Sequence, residues 1–174
     1  MAAQLTLAGI EEESIVDGPG LRFVLFTQGC PHHCKGCQNP QTHPFEGGQI
    51  YSLEELLKRY DENPLLAGMT FSGGEPFAQA EPLSELAACI HARGGTVVTY
   101  TGYTYQAMRS GHCQAWEKLL QATDLLIDGP YVEELRDLDL LFRGSSNQRL
   151  LDKKSRAELD AQGAAETEKK PVSP

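Results

Sequence analysis

Four short apolar runs, each ending in a turn built from Gly, Pro, Ser or Cys, limit this chain to a small set of folds. They are Leu21–Thr27 (LRFVLFT), Met69–Phe71, Thr96–Thr101 (TVVTYT) and Asp124–Ile127 (DLLI). Their length and their β-branched and aromatic content predict buried strands. The stretches between them read as helices. Ser52 with Glu55 forms a capping box for a helix running to about Tyr60. Pro82 suits a first helical turn, and Leu83, Leu86, Ala87 and Ile90 share one face before Gly94-Gly95 stops the helix. Helical turns follow around Tyr105–Met108 and Trp116–Leu120, and Gln148–Leu151 adds a fifth strand. Strands alternating with helices predict an α/β fold with a parallel sheet and right-handed crossovers. A complete eight-unit barrel needs roughly 200 residues or more. At 174 residues the chain is expected to build a partial, incomplete βα barrel. In such folds sites gather at the C-terminal strand ends. The cysteine loop, the SGGEP turn, the TYTGY turn and the DGP turn are therefore expected at one rim.

Composition narrows the function. A net charge of −9 argues against binding to nucleic-acid phosphates, which requires clustered Lys and Arg. No apolar run approaches the ~18 residues of a membrane-spanning helix. The N-terminus lacks the basic flank and apolar stretch of a secretory signal, which predicts a cytoplasmic protein with no membrane partner. Residues 153–174 (KKSRAELDAQGAAETEKKPVSP) hold almost no large apolar side chain and are expected to form a disordered C-terminal tail, leaving residues 1–152 as the domain. The tail carries five basic and four acidic residues, so the acidity belongs to the body.

Cysteine usage points to chemistry. Three of the five cysteines, Cys30, Cys34 and Cys37, fall within eight residues as C-x3-C-x2-C in GCPHHCKGCQNP. An odd count in a reducing compartment favours a metal or redox site over disulfides. Three thiolates on one loop suit an iron–sulfur core with one iron left open, because a fully protein-ligated cubane takes four cysteines. A zinc site is the rival, with His32, His33 or His43 as the fourth ligand. Spacing alone leaves both open. Cys89 and Cys113 read as small packing residues, and His32 and His33 as solvated loop residues.

The surrounding motifs add a resemblance. Asp17-Gly18-Pro19-Gly20-Leu21-Arg22 precedes the cysteine loop, Asn39-Pro40-Gln41-Thr42 follows it, and Gly73-Gly74-Glu75-Pro76 comes downstream. This ordered set resembles the radical S-adenosylmethionine superfamily and, within it, the activating enzymes of glycyl-radical enzymes. The segment Leu138–Asp152 (LDLLFRGSSNQRLLD) and the short length are most similar to the branch that acts on anaerobic ribonucleoside-triphosphate reductase. The resemblance covers about residues 10–152. The wider superfamily often places an aromatic residue before the third cysteine, where this chain has Gly36.

The resemblance implies a radical S-adenosylmethionine-type partial barrel, with Cys30, Cys34 and Cys37 ligating a [4Fe-4S] cluster and S-adenosyl-L-methionine on the open iron. Gly36 and Gln38 are expected to hold the nucleoside through backbone contacts. Ser72, Gly73, Gly74 and Glu75 are expected to receive the methionyl amino end, with the Glu75 charge near the ammonium. Asp128 either accepts a hydrogen bond from a ribose hydroxyl or caps the following turn. No catalytic acid or base is expected beyond the cluster ligands. The implied partner is the glycyl-radical subunit of anaerobic ribonucleoside-triphosphate reductase, with an electron donor such as a flavodoxin. Two alternatives compete: an activator of a pyruvate formate-lyase-like enzyme, and a zinc-stabilised binding module without catalysis.

Overall fold

The computed structural model describes residues 3–111 and 113–168. Seven strands form one sheet in the order β3-β1-β2-β4-β5-β6-β7. The centre is the expected parallel unit: β2 (Arg22–Thr27), β4 (Gly68–Gly73), β5 (Thr96–Tyr100) and β6 (Leu125–Asp128). The flanks correct the expectation of a purely parallel sheet. β1 (Gln4–Ser14) runs antiparallel to β2 and to β3 (Gln49–Ser52), and β7 (Arg149–Asp152) runs antiparallel to β6. β1 escapes a sequence reading because it is bulged and half exposed, so its apolar residues do not alternate cleanly. The fold is mixed α/β with a mostly parallel sheet.

The helices follow from local chemistry. In α1 (Leu53–Asp61) the Ser52 hydroxyl accepts the Glu55 N–H at 3.2 Å, the expected cap. α2 (Ala80–Ala92) begins two residues before Pro82, after a 3-10 turn at Pro76–Gln79, and buries Leu83, Leu86, Ala87 and Ile90. α3 (Tyr105–Ser110) is capped by Thr104, and α4 (Gln114–Ala122) packs on α2. These faces enclose Phe23, Leu25, Met69, Phe71, Val97 and Leu126 from the sheet in one core. Cys113, expected as a packing residue, is instead exposed at the start of α4.

The opposite face of the parallel strands is also buried, and it is organised by Arg22. Alternation along a strand puts Arg22 and Val24 on the same side, away from the helices. The Arg22 guanidinium is fully buried. It donates to Thr70 Oγ1 (3.1 Å), Thr96 Oγ1 (2.7 Å), Met69 O (2.6 Å) and Thr96 O (2.9 Å), tying the bases of β2, β4 and β5 together. Burial lowers its pKa to about 10, which still leaves it charged at neutral pH.

The segment expected to be a disordered tail is ordered over most of its length. Residues Lys153–Glu168 form α5; residues 169–174 lie outside the described residues. The anchor is polar, which is why an apolar count misses it. Arg156 is buried, and its guanidinium donates to Leu120 O (2.6 Å) and Thr123 O (2.5 Å), satisfying carbonyls at the end of α4. Replacing Arg156 by Met should therefore lower stability by about 1–3 kcal/mol in chemical denaturation. A free tail would leave the midpoint unchanged.

Candidate functional site

The cysteine loop is shaped by the residues around the cysteines. At the end of β2, Gly29 N donates to Thr42 O (2.8 Å) and Cys30 N to His43 O (3.0 Å), folding the loop back on itself. Gln28 Nε2 reaches Gln41 O (3.2 Å) and Pro44 O (2.6 Å). The Asn-Pro-Gln-Thr run closes as a 3-10 turn at Pro40–Thr42, with Thr42 N and Oγ1 both donating to Asn39 O. Within the loop, Cys37 N donates to Cys34 O (3.2 Å) and Asn39 N to Cys37 Sγ (3.4 Å). Lys35 pairs with Glu133 at 3.0 Å, fastening the loop to the segment after β6.

Cys30, Cys34 and Cys37 all line one cavity of about 560 Å³ at the C-terminal ends of the parallel strands. Its wall also includes Gln38, Ser72, Gly73, Gly74, Thr101 and Gly129. The four motif turns thus meet at one rim. Cys89 and Cys113 are not in the wall. Burial pushes the Cys30 thiol up, so it stays protonated at neutral pH until a metal displaces its proton. Among the described residues no three His, Cys, Asp or Glu side chains are grouped to hold a single metal ion. A zinc site needs donors converging within ~2.3 Å of one point. A cubane takes its thiolates on separate irons, which three cysteines spread along a loop can satisfy.

Three residues expected in the cofactor pocket stand outside its wall: Gly36, Glu75 and Asp128. Gly36 has φ +70° and its Cα faces the Glu133 side chain. Asp128 is fully buried; it accepts the Tyr105 N–H at 2.7 Å and is held by the Arg149 guanidinium, with Nε at 2.9 Å and Nη2 closer still. Its carboxylate anchors the start of α3 and the start of β7.

Glu75 has the larger revision. Its carboxylate is 1% exposed and takes four internal partners. Oε1 accepts Phe77 N–H (3.0 Å); Oε2 accepts Thr101 Oγ1 (3.0 Å), Gly102 N–H (3.0 Å) and His32 Nε2 (2.5 Å). With Glu75 ionised its carboxylate only accepts, and the proton of this bond then sits on His32 Nε2. His32, expected to be solvated, is drawn inward by this bond and packs edge-on against Tyr103 at 4.4 Å. One buried charge therefore joins the cysteine loop, the Gly-Gly-Glu-Pro turn and the turn after β5. Nothing in the sequence marks His32 for this, because the two residues lie 43 positions apart.

The paired glycines serve the same junction. Gly74 N donates to Thr27 O and Glu75 N to Gly29 O, both at 2.8 Å. A Cβ at Gly73 would stand 2.5 Å from Phe26 Cα, and one at Gly74 would stand 2.4 Å from Gly29 O. The close approach demanded of these glycines is to the chain's own β2–cysteine connection.

Residues 16–151 match the family described as "4Fe-4S single cluster domain". A relative from Salmonella typhi, "Anaerobic ribonucleoside-triphosphate reductase-activating protein", is 32% identical over 142 residues, covering 77% of this chain and 90% of its own length. The chain belongs to this activating-protein family. Its member from Enterobacteria phage T4 is 33% identical over 141 residues, covering 78% of this chain and 86% of its own. A "Pyruvate formate-lyase-activating enzyme" from Clostridium pasteurianum is 37% identical over 134 residues, covering 72% of this chain but 52% of its own. The family's single-cluster description accords with three cysteines on one cavity wall.

Glu75→Gln tests the junction. Every partner of this carboxylate donates, so an amide must turn its NH2 toward the N–H of Phe77 or Gly102. The substitution should cost about 2–4 kcal/mol in denaturation of the metal-free protein. It should also hasten loss of iron to a chelator from the reconstituted protein.

Proposed function

We propose that this chain reductively cleaves S-adenosyl-L-methionine at a [4Fe-4S] cluster and uses the resulting radical to generate a glycyl radical on anaerobic ribonucleoside-triphosphate reductase. The observation that carries this reading is the convergence of Cys30, Cys34 and Cys37 with the Ser72–Gly74 turn on one cavity wall, without a fourth cysteine there. When bound, the reduced cluster supplies one electron to the sulfonium, whose S–C5′ bond breaks to methionine and a 5′-deoxyadenosyl radical.

The protein's own contribution is ligation, placement and exclusion of water. Cys30, Cys34 and Cys37 hold the cluster, and the burial of Cys30 keeps one edge of that site dry. Ser72, Gly73 and Gly74 present backbone at the cavity wall for the methionyl amino end, and Gln38 does so for the nucleoside. Glu75 acts one step back: it holds His32 and the turn at Thr101–Gly102 in register with the cysteine loop. Gly36 lets the cysteine loop pass close to Glu133. Asp128 supports the rim through Arg149.

The same reading takes the seven-stranded sheet as a partial βα barrel of the radical S-adenosylmethionine type, with residues 1–152 as its catalytic domain. It places the protein in the cytoplasm with a one-electron donor such as a flavodoxin. No helix among the described residues is long and apolar enough to cross a membrane. A pyruvate formate-lyase-like target would use the same chemistry. The reductase activators from Salmonella and phage T4, each matched over most of its own length, favour the reductase.

Anaerobic reconstitution should yield about four irons and four sulfides per chain. The reduced protein should convert S-adenosylmethionine to 5′-deoxyadenosine, and Cys30→Ala, Cys34→Ala or Cys37→Ala should each reduce the rate at least ~100-fold, since the cluster carries the reaction. Mixed with the reductase, the wild-type protein should produce a carbon-centred doublet by paramagnetic resonance. One zinc per chain with no cleavage would sink the proposal.

A further inference from the structure

Two buried side-chain polar atoms lack a hydrogen-bond partner among the described residues: His43 Nε2 and Arg143 Nε. Both residues stand in the wall of the cysteine cavity. An unpaired buried polar group costs about 1–3 kcal/mol, and folded proteins keep few of them. Two in one wall mark places where a bound molecule completes the bonding.

Arg143 is the more informative of the pair. Its guanidinium makes a single hydrogen bond within the protein, from Nη1 to Gln148 O at 3.2 Å. It is the one Lys or Arg side chain in the described wall, which also carries Asp17, Asp137 and Asp139. The segment presenting it is firmly built. Gln148 Oε1 accepts the N–H of Gly144 (2.9 Å) and Ser145 (3.1 Å), while its Nε2 donates to Gly129 O (3.2 Å). The preceding residue, Phe142, has φ +60°, a conformation that bulky side chains rarely adopt. It is held there by the Tyr100 hydroxyl, which donates to Phe142 O at 2.6 Å. Strain kept in place beside a cavity is a feature of binding sites.

We propose that Arg143 binds the carboxylate of the cofactor's methionyl end, an inference that rests on the cofactor reading above. S-adenosylmethionine carries two positive groups, the ammonium and the sulfonium, and one negative group, the carboxylate. A wall with three aspartates and one guanidinium matches that pattern. The planar fork of Arg143, whose Nε has no partner within the protein, is the donor geometry that pairs with a carboxylate through two bonds. Within the Arg-Gly-Ser-Ser-Asn-Gln-Arg run, Gln148 and Arg149 thus fix the rim while Arg143 faces the ligand.

Equilibrium dialysis of the cluster-loaded protein with S-adenosylmethionine and with its decarboxylated analogue separates the outcomes. Arg143→Gln should weaken S-adenosylmethionine about 10–100-fold, the worth of a charge-assisted pair, and leave the decarboxylated analogue within about twofold. Arg143→Lys, which keeps the charge without the fork, should recover part of the loss and serves as the readout if the Gln variant loads poorly. Equal weakening of both ligands, or of neither, overturns the assignment. Absence of binding of either ligand to the wild-type protein would overturn the cofactor reading itself, and this inference with it.

Discussion

The site depends on a buried carboxylate that does not face the cavity. Glu75 draws Phe77 N–H, Thr101, Gly102 N–H and His32 onto one group with almost no access to water. A charge in that position is tolerable because four donors converge on it. The result is a junction that fixes three loops relative to one another. Loops are ordinarily the mobile part of an α/β fold, and a cysteine loop that must hold thiolates around a compact inorganic core cannot be. Gly73 and Gly74 make the junction possible by letting β4 come within backbone contact of the β2–cysteine connection.

A second buried charge plays the corresponding part at the other end of the strands. Arg22 spans β2, β4 and β5 with four hydrogen bonds to hydroxyls and carbonyls. It occupies the face of the sheet away from the helices, where it is fully buried. Arg156 repeats the device at the end of α4. In each case an arginine covers backbone carbonyls that apolar packing would leave unpaired. The frame is thereby held by polar contacts at the strand bases and at the end of α4, outside the cavity wall.

Much of this was legible in the residues. The parallel strands β2, β4, β5 and β6 were marked by apolar runs, α1 by its capping box, and α2 by the spacing of Leu83, Leu86, Ala87 and Ile90. The three thiolates declared themselves by proximity along the chain. What escaped notice shares one property: it depends on pairs far apart in sequence. β1 reads as polar because it is bulged and half exposed, although it pairs with β2 and β3 on its two sides. α5 reads as a tail because most of its anchors are polar: Arg156 at the end of α4, and Asp160 on Tyr105 and Arg109. His32 looks like a loop residue until Glu75 arrives from 43 positions away. Asp128 looks like a free rim carboxylate until Arg149 meets it across the β6–β7 pairing.

The sequence by itself determined the class of fold and the identity of the thiolates, because strand propensity and cysteine spacing are local properties of consecutive residues. Only the tertiary structure decided which polar groups face the cavity and which hold the walls up. Glu75 and Asp128 turn inward to partners of opposite or donor character, while Arg143, in the same cavity wall as the cysteines, keeps a buried nitrogen unpaired. The reason is that burial and hydrogen-bond satisfaction are settled jointly by every element that meets at the rim. A motif says which residue is present; the three-dimensional arrangement of donors and acceptors says what that residue has left to offer.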